Sequence, residues 1–134
     1  MAEERTELER TGEAVRRRVL GDAHVDRASA NRSVFDAPFQ DLITRSAWGT
    51  VWSRPDFTPR ERSIVTIALL AALGHHEELA MHIRSTRNTG ASVEDVREAL
   101  LHVAVYAGVP AANTAIQIAK RTYAELAARK GEES

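Results

Sequence analysis

Residues 64–73, IVTIALLAAL, constrain the fold of this chain more than any other segment. They follow Thr58-Pro59-Arg60-Glu61, which combines a capping box with proline at the first helical position. A helix over residues 59–73 is therefore expected. It is apolar almost all round after Ile64, and such a helix is buried on most of its sides. Other helices have to supply the cover. Gly74 ends the run.

The rest of the chain carries the same helical period. Leu8, Val15 and Val19 share one face of a first helix, residues 6–20, which Gly21-Asp22 stops. Residues 24–31 read as a short polar connection, with a helix left open. Asp36 and Pro38 suit the start of a second helix. Its apolar surface comes from Phe39, Leu42, Ile43, Trp48 and Trp52, and Pro55 closes it. A fourth helix runs from the residues after Gly74 to about Gly90. Ser92 caps a fifth, residues 93–107, where Glu94 and Asp95 suit the N-terminal dipole. After Gly108-Val109-Pro110 a last helix, residues 111–129, presents Ile116, Ala119, Tyr123 and Leu126 as its apolar side. No segment reads convincingly as a strand. The expected fold is all-α, a single-domain bundle of about six helices over residues 1–134, frayed at 1–5 and 130–134. A chain of 134 residues buries roughly two-thirds of its unfolded surface, enough for a core without staples.

The chain has no cysteine. That removes disulfides, thiolate nucleophiles and the commonest structural zinc sites, and it is compatible with a reducing cytoplasm. The net charge of −1 leaves no electrostatic footprint for nucleic acid or an acidic membrane. The opening MAEERTELER lacks the apolar stretch of a secretory signal, and no run approaches the roughly 20 apolar residues that span a bilayer. A soluble cytoplasmic protein is expected, without nucleic-acid or membrane partners. The 18 basic residues are 16 Arg and 2 Lys. That bias reflects either genomic base composition or guanidinium forks that grip carboxylates.

The densest chemistry lies in ALGHHEELAMHIR, residues 72–84. On a helix, His75, Glu78 and His82 fall within roughly 60° of one another, beside the apolar Leu79 and Ile83. His76 and Glu77 point elsewhere. Glu78 and His82 are one turn apart, close enough to interact. A carboxylate raises the imidazole pKa while burial disfavours either charge, so the pair suits proton transfer near neutral pH. Two other readings stay open: a solvated helix face, and a metal site using His75-x2-Glu78-x3-His82. The zinc-protease pattern fails, because Ala80 stands where the second histidine would follow His76-Glu77.

Other candidates are dispersed. His24 sits in a connection. Trp48 and Trp52 are spaced as core residues, and Trp48 is also a candidate ring for a substrate. Arg54 beside Pro55, and Arg45, are candidate carboxylate clamps. Tyr106 precedes the Gly108 break and reads as core unless its hydroxyl serves a ligand. His102 lies among apolar residues and reads as a satisfied core histidine. No nucleophile triad, phosphate loop or dinucleotide fingerprint is present.

Four stretches, AVRRRVLGDAHVDRA, FDAPFQDLITRSAWGTVWSRP, HHEELAMHIR and AVYAGVPAANTA, together resemble the carboxymuconolactone decarboxylase family. The likeness covers about residues 14–119. It implies an alkylhydroperoxidase D-like helical fold and a homo-oligomer, usually a hexamer. The wider superfamily includes peroxidases with a Cys-x-x-Cys-x-x-x-His strip on one helix and an upstream Glu. By that resemblance His82 matches the histidine, His75 and Glu78 take the two cysteine positions, and the upstream Glu falls near Ser63. Thiol peroxidase chemistry is excluded for lack of thiols.

The activity implied is loss of CO2 from 4-carboxymuconolactone in protocatechuate catabolism, giving the β-ketoadipate enol-lactone. The electrons left on the γ-carbon flow through the ring double bond into the lactone carbonyl, so the substrate holds its own electron sink and no cofactor is needed. Protonation of the ring carbon α to the carbonyl completes the reaction. His82 with Glu78 is expected to deliver that proton, His75 or His24 to stabilise the lactone oxygen, and Arg54 or Arg45 to hold the acetate arm. Trp48 and Tyr106 complete the candidate binding set. No metal is expected. The alternatives are a lactone or keto-acid isomerase or cyclase of the same family, and a non-enzymatic helical ligand-binding oligomer.

Overall fold

In a computed structural model, residues 5–133 are described, and side chains through Gly131. They form seven α-helices and one π-helical segment, with no strand among the described residues. The helices are α1 (Glu7–Leu20), α2 (Asp22–Ala30), α3 (Ala37–Ile43), α4 (Pro59–Leu73), α5 (His76–Thr89), α6 (Val93–Tyr106) and α7 (Val109–Glu133); the π-helical segment, Thr44–Val51, follows α3 directly. The all-α expectation holds, with one helix more than the six expected: the polar stretch after Gly21 is helix α2. The chain divides into two compact units, Met1–Thr58 and Pro59–Ser134. The fraying expected at 1–5 and 130–134 falls partly outside the described residues, and α7 continues as helix to Glu133.

In the first unit, α1 starts at a capping box in which the Thr6 hydroxyl accepts from the Glu9 N–H and the Glu9 carboxylate returns to Thr6. Arg17 then ties α1 to α2. Its guanidinium reaches Glu13 at 2.8 Å, Asp22 at 3.1 Å and Asp26 at 2.9 Å. Val15, Val19, Leu20, Val25 and Trp48 form the buried apolar set. Asp36 stands at the start of α3, but its carboxylate accepts from the Ser33 N–H at 2.7 Å instead of capping the helix.

The π-helical segment was not legible as such. Hydroxyls along it bond back to backbone carbonyls: Thr44 to Gln40 at 2.8 Å, Ser46 to Leu42 at 2.7 Å and Thr50 to Arg45 at 2.8 Å. Such bonds compete with the ordinary helical ladder. The Trp52 N–H donates to the Ala47 carbonyl five residues back, the π register. This segment packs on α1 through glycine. A Cβ at Gly12 would overlap the Thr44 carbonyl oxygen, and one at Gly49 would lie 2.8 Å from that of Leu8.

In the second unit, α4 packs on α5 and α6, and α7 packs on α5 and α6. Ile67, Leu79, Ile83, Val96, Leu100 and Val103 form its core with the alanines of α7. Two expectations change here. Helix α4 is not covered on most sides: it buries Ser63, Ile67 and Ala71, while Val65, Leu69 and Leu73 are 44%, 56% and 67% exposed. Helix α7 buries Ala112, Ala115, Ile118, Ala119 and Thr122 and packs Tyr123 partly against the core, so Ala119 and Tyr123 lie on the expected side while Ile116 is exposed and Ile118 takes its place.

At its outer edge, Arg60 of α4 grips Asp95 of α6 with both arms of the guanidinium, at 2.7 and 2.6 Å. Asp95 also completes the capping box of α6 by accepting from the Ser92 N–H at 2.9 Å. These bonds, the Arg60 one foremost, hold the Asp95 carboxyl far below the usual carboxylate range.

Candidate active site

Helix α5 begins where Gly74 takes a positive φ of +77°, a conformation glycine adopts without strain. The chain turns there, and His75 becomes the N-cap residue with non-helical backbone angles (φ −88°, ψ 79°) instead of the first residue of the strip. The expected three-residue strip is thus reduced to Glu78 and His82, one turn apart on α5. Both acidic residues of its first turn, Glu77 and Glu78, suit the positive end of the helix dipole.

His82 is 7% exposed and is the one ionisable side chain among the buried described residues. Leu79 and Ile83 on either side of it are fully buried. Glu78 and His75 are exposed. Burying an imidazole carries a desolvation cost that only hydrogen bonding offsets, so a histidine held at this depth stands out chemically. No group of three His, Asp or Glu side chains among the described residues is close enough to hold a metal ion, so His75, Glu78 and His82 do not converge as ligands.

Three hydroxyl residues downstream of His82 on the same helix were not among the expected site residues. Ser85, Thr86 and Thr89 are buried with it, at helical spacing. Their hydroxyls are satisfied locally. Ser85 donates to the Met81 carbonyl at 2.9 Å, Thr86 to the Ile83 carbonyl at 2.6 Å, and Thr89 shares a 2.7 Å bond with Ser63. Ser63, near which the resemblance puts the peroxidase Glu, is fully buried in that bond. The signal was present in the spacing of residues 82, 85, 86 and 89.

Tyr106, at the end of α6, is 85% exposed and stacks on His102 with ring centroids 6.1 Å apart. Neither is a core residue. Their one-turn spacing places both on the outer face of α6, with exposed Leu101 and Val105 beside them.

The remaining candidates lie in the first unit. His24 is half-buried on α2. Trp48 is 5% exposed in the π-helical segment, its ring 5.2 Å from that of Trp52. Arg45 is half-buried in the same segment, and its carbonyl accepts the Thr50 hydroxyl. Arg54 is exposed and pairs with Asp56 at 3.3 Å. A surface pair of that kind is worth little.

Residues 37–121 match the carboxymuconolactone decarboxylase family. The chain is 45% identical over 115 residues to a 4-carboxymuconolactone decarboxylase of Acinetobacter baylyi, covering 86% of each chain. It is 40% identical over 115 residues to a nitrosuccinic acid decarboxylase of Metarhizium robertsii, covering 86% of this chain and 80% of the relative. A 4-carboxymuconolactone decarboxylase of Pseudomonas putida is 55% identical over 38 residues, or 28% of this chain. No helix among the described residues is long and apolar enough to cross a membrane. With a match over most of its length and an all-helical fold, the chain belongs to the carboxymuconolactone decarboxylase family.

Proposed function

We propose that the protein is a carbon–carbon lyase that removes CO2 from 4-carboxymuconolactone and yields the β-ketoadipate enol-lactone in protocatechuate catabolism. The observation that carries this reading is the 45% identity to the Acinetobacter baylyi relative over 86% of both chains. The burial of His82 supports a proton-transfer role for it.

The bond between the γ-carbon and its carboxylate breaks, and CO2 departs. The electron pair moves through the ring double bond to the lactone carbonyl, giving a dienolate. His82 delivers a proton to the carbon α to that carbonyl, and the exposed Glu78 one turn away restores it. His75 or His24 stabilises the lactone oxygen, and Arg54, ahead of Arg45, holds the acetate arm. Trp48 and Tyr106 are the proposed apolar contacts. A positioned proton donor contributes typically 10²–10⁴-fold.

Release of CO2 from 4-carboxymuconolactone tests the reading directly. His82→Ala and Glu78→Gln are each expected to lower kcat by at least about tenfold with the assembly intact. Near wild-type turnover in both removes the assignment. Arg54→Lys should mainly raise KM, because lysine loses the bidentate grip.

The Metarhizium robertsii relative favours a wider substrate class. Nitrosuccinic acid and the carboxylactone share a succinate core whose leaving carboxylate sits on the carbon attached to an electron sink, a nitro group in one and the unsaturated lactone in the other. The protein should therefore release CO2 from nitrosuccinate as well, with kcat/KM at least about tenfold lower than for the lactone.

The reading includes a homo-oligomer, a hexamer by family likeness, in the cytoplasm. The uncovered Val65, Leu69 and Leu73 on α4 support subunit packing. Light scattering should show a multiple of 14.8 kDa that Leu69→Lys reduces.

A further inference from the structure

The first unit contains a partly enclosed cavity of about 100 Å³ lined by α1, α2, α3 and the start of the π-helical segment. Among the described residues six charged side chains line it, and five of them are satisfied. Arg5 pairs with Glu13 at 3.4 Å, and Glu13 also receives Arg17 at 2.8 Å. Arg32 pairs with Asp41 at 2.9 Å, and the Glu9 carboxylate accepts the Thr6 hydroxyl at 3.0 Å. The sixth, Arg16, is half-buried and makes no hydrogen bond or ion pair among the described residues. Its burial pushes the guanidinium pKa down, with the field of Glu13 only partly opposing.

Two further donors on the same walls are also unengaged. The half-buried Gln40 amide and the exposed Ser29 hydroxyl have no side-chain hydrogen bond among the described residues. Three helices therefore each present an unused donor to one small space. A half-buried guanidinium gains most from a charged acceptor, and its planar fork matches a carboxylate. The walls already set three carboxylates against three guanidinium groups, so a singly charged anion at Arg16 is favoured over the doubly charged sulfate or phosphate. The space admits only a few heavy atoms.

We propose that this cavity binds a small monocarboxylate of acetate or propionate size, held by the Arg16 fork with Gln40 and Ser29 as supporting donors. The site does not depend on the decarboxylation reading.

Calorimetric titration of the full-length protein with sodium acetate, at ionic strength fixed with chloride, tests it. Saturable binding of one acetate per chain is expected, with Kd on the order of 1 mM. Arg16→Gln should weaken it at least tenfold and Gln40→Leu about threefold, while the exposed Arg18→Gln leaves it unchanged. Sodium sulfate should give no saturable heat. Arg54→Gln separates this cavity from the proposed substrate clamp and should bind acetate like the wild type. Absence of saturable binding in the wild type overturns the proposal, as does full affinity in Arg16→Gln, loss of affinity in Arg54→Gln, or equal binding of sulfate. Should Arg16→Gln lose its native tryptophan emission, Gln40→Leu decides, and unchanged affinity there is equally fatal.

Discussion

In the first unit, α1 lies so close to the π-helical segment that glycine is required on both sides of the contact. In the second, four helices surround aliphatic side chains and alanines, with His82 the one ionisable group buried among the described residues. The first unit relies on backbone proximity and on ion pairs gathered by Arg17; the second relies on burial. A close backbone contact fails abruptly when one atom is added, whereas an apolar core loses stability in proportion to the volume removed. The aromatic residues allow the two to be followed separately. Both tryptophans, Trp48 and Trp52, belong to the first unit, and both tyrosines, Tyr106 and Tyr123, to the second.

The largest effect is expected from Gly12→Ala. Its methyl group would overlap the Thr44 carbonyl oxygen, a backbone atom that cannot swing aside. Native tryptophan fluorescence should be lost or shifted strongly. Unchanged emission and an unchanged unfolding transition would show that the close contact does not hold the first unit. Leu79→Ala comes next, because its side chain is fully buried in the core of the second unit. A loss of about 2–5 kcal/mol is expected in urea unfolding followed by tyrosine emission and far-ultraviolet circular dichroism. A cost under about 1 kcal/mol would mean that the alanine-rich packing closes over the gap.

The smallest effect concerns the Arg60–Asp95 clamp, the second unit's counterpart to the Arg17 pairs. The Asp95 carboxyl is held below its ordinary value near 3.8. It therefore contributes stability that is complete above that value and is lost as pH falls through the depressed one. Between about pH 5 and pH 2, wild type should lose stability faster than Asp95→Asn, and the gap between the two should narrow steadily towards acid. Parallel curves would show that the clamp is too solvated to matter.

Much of the second unit was legible because its signals are local. Ser92 with Asp95, Pro59 at a helix start and Gly90 after a helix end each act through their own backbone. Features that depend on a neighbouring helix were not. Nothing in SAWGTVW by itself says that its hydroxyls will bond back to carbonyls or that Gly49 will meet α1. The apolar side expected for α7 is Ile116, Ala119, Tyr123 and Leu126; the structure buries Ala119 with Ala112, Ala115, Ile118 and Thr122, packs Tyr123 partly against the core and leaves Ile116 exposed, since close approach depends on what lies opposite. His102 was expected inside because its neighbours in sequence are apolar, but it lies on the outer side of α6. For the candidate site, the prominence of His82 was readable from its place between Leu79 and Ile83. The departure of His75 from the strip was not, because it results from the turn that Gly74 makes.

The depth of His82 has a kinetic consequence. Converting a carboxylate to CO2 and a C–H bond takes one hydrogen ion from the medium in every cycle. In the proposed reaction an imidazole shut away from bulk solvent has to be recharged before it can act again, and the exposed Glu78 stands one turn away on its own helix. Reloading the donor then competes with bond cleavage as the slow event, and deuterated water would slow steady-state turnover more than it slows the first.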